Sequence, residues 1–262
     1  MCCFSRPIAE VSGTSIFVRL DGNRQALAYQ MRLSSAEDVA MILPLPTAPG
    51  HGEKAVEFVD LSETPRFFEE LSLCFWRPTR SLGTDLSEAV AGAAPTLEVH
   101  KVGAFDASFV PAIADFARLD ARFRLPDAVL GRVPAYSDYG FAVFKLRKGE
   151  AEVHPLALRF VTRTPARLFF PTVHVHHGDL PDEASFDHTL YLQTPAHEPP
   201  NWEKAPRSVA SVMNLGNILL RDPTRGLIAR DWPLYRLRIS GMHPNRDTWV
   251  PSSSSGLTDE VS

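Results

Sequence analysis

Proline interrupts this chain 22 times in 262 residues and outnumbers its 15 glycines. Because proline carries no backbone N–H and fixes φ, it ends helices and stays out of the middle of a ladder. A chain punctuated this often must be built from short elements joined by stiff turns. Between the prolines, apolar residues recur mainly at every second position, the period of a strand with one buried face. The fold class this implies is α+β, mostly antiparallel β with a few short helices. We expect one β-rich domain over residues 1–250. A disordered C-terminal tail is expected over 251–262, where a serine run gives way to Asp259 and Glu260.

Local signals place the elements. Thr14 to Leu20 is rich in β-formers, Asp21-Gly22-Asn23 marks a hairpin, and Arg24 to Leu33 returns with alternating character. Val39 to Leu43 is an apolar run closed by Pro44 and Pro46, as a buried strand would be. Thr64-Pro65 opens the clearest helix, with Thr64 as N-cap and an apolar stripe of Phe67, Phe68, Leu71, Cys74 and Phe75. Cys74 on that stripe reads as a small buried hydrophobe. A loop or weak helix is expected over 77–95 and a strand at Leu97 to Val102. Helical character follows from Pro111 to Phe123, with strands at Gly140 to Leu146 and Leu156 to Thr162. A short helix over Ser208 to Leu220 and a last strand at Leu234 to Ile239 complete the pass.

Composition excludes several classes. The chain is 44% hydrophobic and 22% charged, with 27 basic and 31 acidic residues and a net charge of -4, so no basic stripe points to nucleic acid. No run approaches the ~18 consecutive apolar residues of a membrane span. The opening Met1 to Pro7 lacks the basic and apolar regions of a signal peptide, so a cytoplasmic location is expected. Three cysteines do not make a disulfide framework. There is no Gly-x-Gly-x-x-Gly, no phosphate-binding loop of the Walker type and no Gly-x-Ser-x-Gly elbow. A small-molecule ligand stays open, and the sequence identifies no protein partner.

The chemistry concentrates between residues 170 and 193. His174, His176, His177 and His188, four of nine histidines, fall within fifteen residues. Val173 and Val175 alternate with the first of them, so the run reads as a strand with His174 and His176 on one face. Phe186 to Gln193 is a second extended run, and pairing of the two would bring His188 beside that face. Neutral imidazoles so placed can ligate one ion at about 2.0–2.1 Å. Asp179 and Asp187 are then candidates to fix the imidazole tautomers. Adding a thiolate from Cys2 or Cys3 would favour Zn or Cu over harder ions. The alternative is ordinary surface or hydrogen-bonded histidines. Asn245-Arg246-Asp247 reads as an Asx-type turn after Pro244, with a ligand-orienting cluster as the other option.

Removal of Met1 would expose Cys2 with a free α-amine that titrates at about 7.7–8.0, suited to act as base on its own thiol. In this the N-terminus resembles the N-terminal-nucleophile hydrolases, including bile-salt-hydrolase-like amidases. That resemblance implies a catalytic Cys2 and assigns supporting roles to Arg19 and Asp21. These two are separated by one residue rather than the family's two, and no family-like Asn environment can be placed. The other reading is that Cys2-Cys3-Phe4 simply begins a buried first strand.

The Cys2-Cys3-Phe4 opening, the following hairpin and Met41-Ile42-Leu43-Pro44-Leu45-Pro46 also resemble an uncharacterised bacterial family. Its members begin with a cysteine-containing Phe motif and later carry Leu-Pro-x-Pro. That family is largely exported and has no assigned activity, so the resemblance implies a β-rich fold alone. The leading expectation is a metal-binding protein, extending to a metalloenzyme, with Zn or Cu on His174, His176, His188 and Cys3. An N-terminal-nucleophile amidohydrolase using Cys2 is the alternative, and a non-catalytic interaction domain with structural histidines is the third.

Overall fold

The computed structural model describes residues 2–77, 106–124, 136–175, 180–213 and 222–253. In chain order the strands are β1 (Cys2–Phe4), β2 (Glu10–Asp21), β3 (Arg24–Ser35), β4 (Val39–Leu45) and β5 (Val56–Val59). Helix α1 (Phe67–Leu73) precedes β6 (Ala107–Val110), β7 (Gly140–Leu146), β8 (Gly149–Val161), β9 (Arg167–Phe170) and β10 (His174–Val175). Then come β11 (Glu183–Gln193), β12 (Glu203–Lys204), α2 (Val209–Val212), β13 (Leu234–Pro244) and β14 (Thr248–Pro251).

Two sheets dominate. The larger runs β12-β13-β11-β2-β3-β8-β5, the smaller β10-β1-β4-β7-β6, and β14 pairs with β9 apart from both. The strand-rich architecture with few short helices is as expected. The sheets, however, are mixed: β11 runs parallel to β2, and β10 parallel to β1.

Period-2 alternation explains how both sheets stack. On β2 and β3, Ile16, Val18, Leu27, Tyr29 and Met31 point towards the smaller sheet, which answers with Met41, Leu43, Ala142 and Phe144. The intervening residues face outwards and are covered as well. Phe17, Ala26 and Ala28 pack under Phe67, Phe68 and Leu71 of α1, with Phe17 and Phe67 in edge contact at 5.6 Å. Ala40, Ile42, Phe141 and Val143 pack under Phe116 and Phe123, which two short 3₁₀ turns carry. Every residue of β4 is therefore buried, which is why its sequence is continuously apolar rather than alternating. Truncating Phe17 or Phe67 to alanine would cost about 3–5 kcal/mol in such a core.

The Asp21-Gly22-Asn23 signal holds. Gly22, at φ 60°, is the first of two central residues between paired Asp21 and Arg24, the position where a primed hairpin turn needs glycine. The helix start does not hold. Arg66, not Thr64, occupies the N-cap of α1, because the Thr64 hydroxyl donates instead to the Pro223 carbonyl at 3.0 Å. The region from Pro111 to Phe123 forms 3₁₀ turns rather than a continuous helix. The readings at 78–95, 97–102, 214–220 and 254–262 lie outside the described residues. Pro251, at the start of the expected tail, pairs with Arg167. Among the described residues no helix is long and apolar enough to cross a membrane.

Candidate functional site

On β11, alternate side chains Phe186, His188, Leu190 and Leu192 are buried in one row. His188 thus occupies a core position that the pattern elsewhere gives to aliphatic residues. His174 comes to it from β10, at the edge of the other sheet. The two imidazole centroids lie 4.9 Å apart, and Phe186 completes a triangle at 4.6 Å from His174 and 5.0 Å from His188. The expected approach of His174 to His188 is present, but its cause differs. β10 pairs with β1, and β11 pairs with β2 and β13, so the rings meet across the sheet interface rather than along a shared ladder.

His188 is only 1% exposed, and neither ring nitrogen has a hydrogen-bond partner among the described residues. Burial, reinforced by the N-terminal amine and then His174, pushes its pKa down to about 2, so the ring is neutral at any physiological pH. Cys3 is 1% exposed on the other side of the smaller sheet, packed with Val175, Ile42 and Phe116. Asp187 points away from the imidazoles and accepts the Gly13 N–H, fixing the bulge where β2 shifts register between Ser12 and Ser15.

The segment that carries His174 is held by Asn245 and Asp247, which act across the fold rather than in an Asx-type turn or on a ligand. Asn245 accepts the His174 N–H at 2.7 Å and donates to the His174 carbonyl at 2.8 Å, and it also donates to the Pro181 carbonyl at 2.9 Å. Asp247 accepts the N–H groups of Thr172 at 3.0 Å and Val173 at 3.2 Å, and the Tyr136 hydroxyl besides. Burial raises the Asp247 pKa, partly opposed by these donors, and burial beside Asp247 raises that of Tyr136. Local signals could not reveal these roles, because an Asx turn and a long-range clamp use the same side chains.

The expected metal centre is corrected. Among the described residues no group of three or more His, Cys, Asp or Glu side chains could hold an ion. The physical reason is the triangle itself: its third corner is a phenyl ring, which cannot ligate an ion. Cys3 contributes nothing to it, lying on the opposite face of its sheet. His176, with His177 and Asp179, lies outside the described residues.

The N-terminal residues separate likewise. The Cys2 backbone pairs with His174, so the chain's start is joined to the histidine segment. Arg19 and Asp21 are elsewhere. Thr189, next to His188, pairs with Ser15, and Arg19 lies four residues further along β2, about 13 Å at the rise of a strand. Cys74, the C-cap residue of α1, is buried as expected. Its thiol donates to the Glu70 carbonyl at 3.5 Å, and burial pushes its pKa up to about 11.

No family model matches the sequence. Solved structures similar to the chain include baculovirus P35, with a TM-score of 0.49 at 11% identity over 93% of this chain and 97% of that one. A caspase-8/P35 complex gives 0.45 at 10% identity over 92% and 96%. A mutated baculovirus P35 after caspase cleavage gives 0.48 at 11% identity over 92% and 99%.

Proposed function

We propose that this chain is a non-catalytic protein-interaction domain whose histidines serve packing. The observation that carries this reading is the state of His188: sealed, neutral and ringed by His174 and Phe186. A general base must titrate near the working pH and reach its substrate, and this imidazole does neither. The thiol of Cys74 fails for the same two reasons. Among the described residues three large apolar side chains are exposed, Met242 on β13 and two close together in sequence. Leu73 is 46% exposed and Trp76 59% exposed at the end of α1, and the Trp76 N–H donates to the Leu73 carbonyl at 3.2 Å. Tryptophan is among the residues that most often dominate binding energy at protein interfaces.

The test uses the full chain as bait in an extract of its own cells, beside a Leu73→Ser/Trp76→Ala variant. The expected result is a stoichiometric partner retained by the wild type and lost with the variant at an unchanged melting temperature. A partner held equally by both would move the contact elsewhere and overturn the assignment of this surface. A hydrolytic turnover that disappears in Cys2→Ala would overturn the non-catalytic reading.

A further inference from the structure

At the far end of the larger sheet from the histidines, one row of paired residues crosses three strand boundaries. Arg19 pairs with Ala26, Ala26 with Arg159, and Arg159 with Glu57. All four project from one face, because residues paired in register share a side of the sheet. Ala26 is the small member, and above it the chain leaves a cleft of about 410 Å³. Two strand spacings, about 10 Å, separate the backbones of Arg19 and Arg159 across the cleft floor. Asp21 and Arg24, paired at the hairpin, close one side, and Arg225 closes another.

The arginines are set in place by the backbone around them. Arg19 donates through Nε to the Leu227 carbonyl at 3.0 Å and through Nη2 to the Gly226 carbonyl at 2.7 Å. Arg159 donates to the Arg225 carbonyl and, at 3.1 Å, to Glu57. Arg225 itself sits at φ 50°, a left-handed conformation uncommon for a residue with a Cβ. Strain of that kind persists only where the surroundings hold it, and it gathers at ligand sites. Four guanidinium groups thus line the cleft against two carboxylates: Arg24 and Arg159 share Glu57, Asp21 lies 3.7 Å from Arg19, and Asp60 lies 3.6 Å from Arg225. Burial lowers the Arg19 pKa, Asp21 opposes that, and Arg159 adds a smaller repulsion.

We propose that this cleft is a binding site for a phosphoryl dianion, seated above Ala26 between Arg19 and Arg159 and capped by Arg225. The lining carries two more positive than negative charges, the complement of a phosphate monoester at neutral pH. The bonds to the 225–227 carbonyls and to Glu57 fix the guanidinium groups, and the N–H groups they leave over, on charges that do not titrate, are the donors for the anion. The phosphoryl group belongs either to a small metabolite or to a phosphorylated side chain of a partner protein.

The experiment is calorimetric titration of the full chain with inorganic phosphate, with succinate and with a phosphoserine pentapeptide, all at fixed ionic strength. We expect phosphate to bind at one per chain and to weaken roughly tenfold or more in Arg159→Gln and in Arg225→Gln. Arg118→Gln, which removes an equal charge outside the cleft lining, should leave it unchanged. A pentapeptide that binds more tightly than phosphate assigns the group to a partner protein, and equal binding assigns it to a metabolite. Melting temperatures of the variants separate loss of the site from loss of the fold, and Arg24→Gln, at an exposed position, gives a further variant that should weaken binding. No saturable binding of phosphate, tighter binding of succinate, or an equal loss in Arg118→Gln would each overturn the proposal.

Discussion

Asn245 pairs with the backbone of His174 as a neighbouring strand would, accepting its N–H and donating to its carbonyl. The same device occurs twice more. Gln25 holds the Phe169 N–H at 3.0 Å and its carbonyl at 2.8 Å, and Gln193 does so to Ala229 at 2.9 Å each. Each side-chain carboxamide presents one acceptor and one donor in the spacing of a ladder rung. Gln25 and Gln193 are fully buried in the larger sheet, and through these rungs it grips β9 and the loop that ends at Trp232.

Replacing Asn245 with alanine should therefore leave three backbone groups of the β10 region without their partners. We expect a loss of about 2–3 kcal/mol, read as a shift in the urea midpoint. Asn245→Asp keeps the acceptor for His174 N–H but loses the donor, and should fall between the alanine variant and the wild type. An alanine variant as stable as the wild type would remove the clamp from the account.

Stability should fall with acid earlier than an ordinary core would allow. The folded pKa of His188 is depressed to about 2 from 6.5, so below pH 6.5 the unfolded ring takes a proton that the folded one refuses. Unfolding free energy therefore drops as pH decreases through that window, by about 1.4 kcal/mol per unit from this group alone. Chemical denaturation at pH 7, 6 and 5 should show a shallower slope in His188→Leu than in the wild type. Identical slopes would mean that His188 titrates normally.

Asp247 separates charge from hydrogen bonding. Its carboxylate is desolvated, yet it accepts from Thr172, Val173 and Tyr136. Asp247→Ala should cost about 3 kcal/mol, while Asp247→Asn, which still accepts both N–H groups, should cost about 1 kcal/mol or less at neutral pH. Thermal melts of the two variants at pH 7 check the order, and a larger loss in the asparagine variant would contradict it.

Thiol titration offers a quick check of burial. Cys3 and Cys74 are both sealed, and Cys74 has its pKa raised to about 11. A disulfide reagent at pH 8 should modify at most one of the three thiols rapidly, and all three once the chain is unfolded. Rapid reaction of two or more in the native protein would contradict the packing.

What the sequence made legible was local. The hairpin at Gly22 could be read because one glycine and its neighbours determine a two-residue turn. The histidine contact was legible as a shared period, but the partner strand was not: β10 bonds to β1, some 170 residues earlier. Thr64 was read as an N-cap because only its near neighbours were visible, while its acceptor is Pro223. The metal reading failed at the point where a residue's company decides its role. Beside carboxylates, His174 and His188 would be ligands; beside Phe186 they are core. The arginine row was invisible because Arg19, Arg24 and Arg159 converge only when β2, β3 and β8 are in register.

The place of β1 between β4 and β10 has a consequence during synthesis. A nascent chain has β1 well before either of its partners, and β4 can cover one edge once residue 45 has emerged. The other edge must wait for Cys2 to meet His174. At 5–20 residues per second that interval lasts roughly 6–26 s, with strand hydrogen-bonding groups open to any extended segment nearby. The smaller sheet therefore closes late, and slowed elongation before residue 174 should raise the share of chains that mispair.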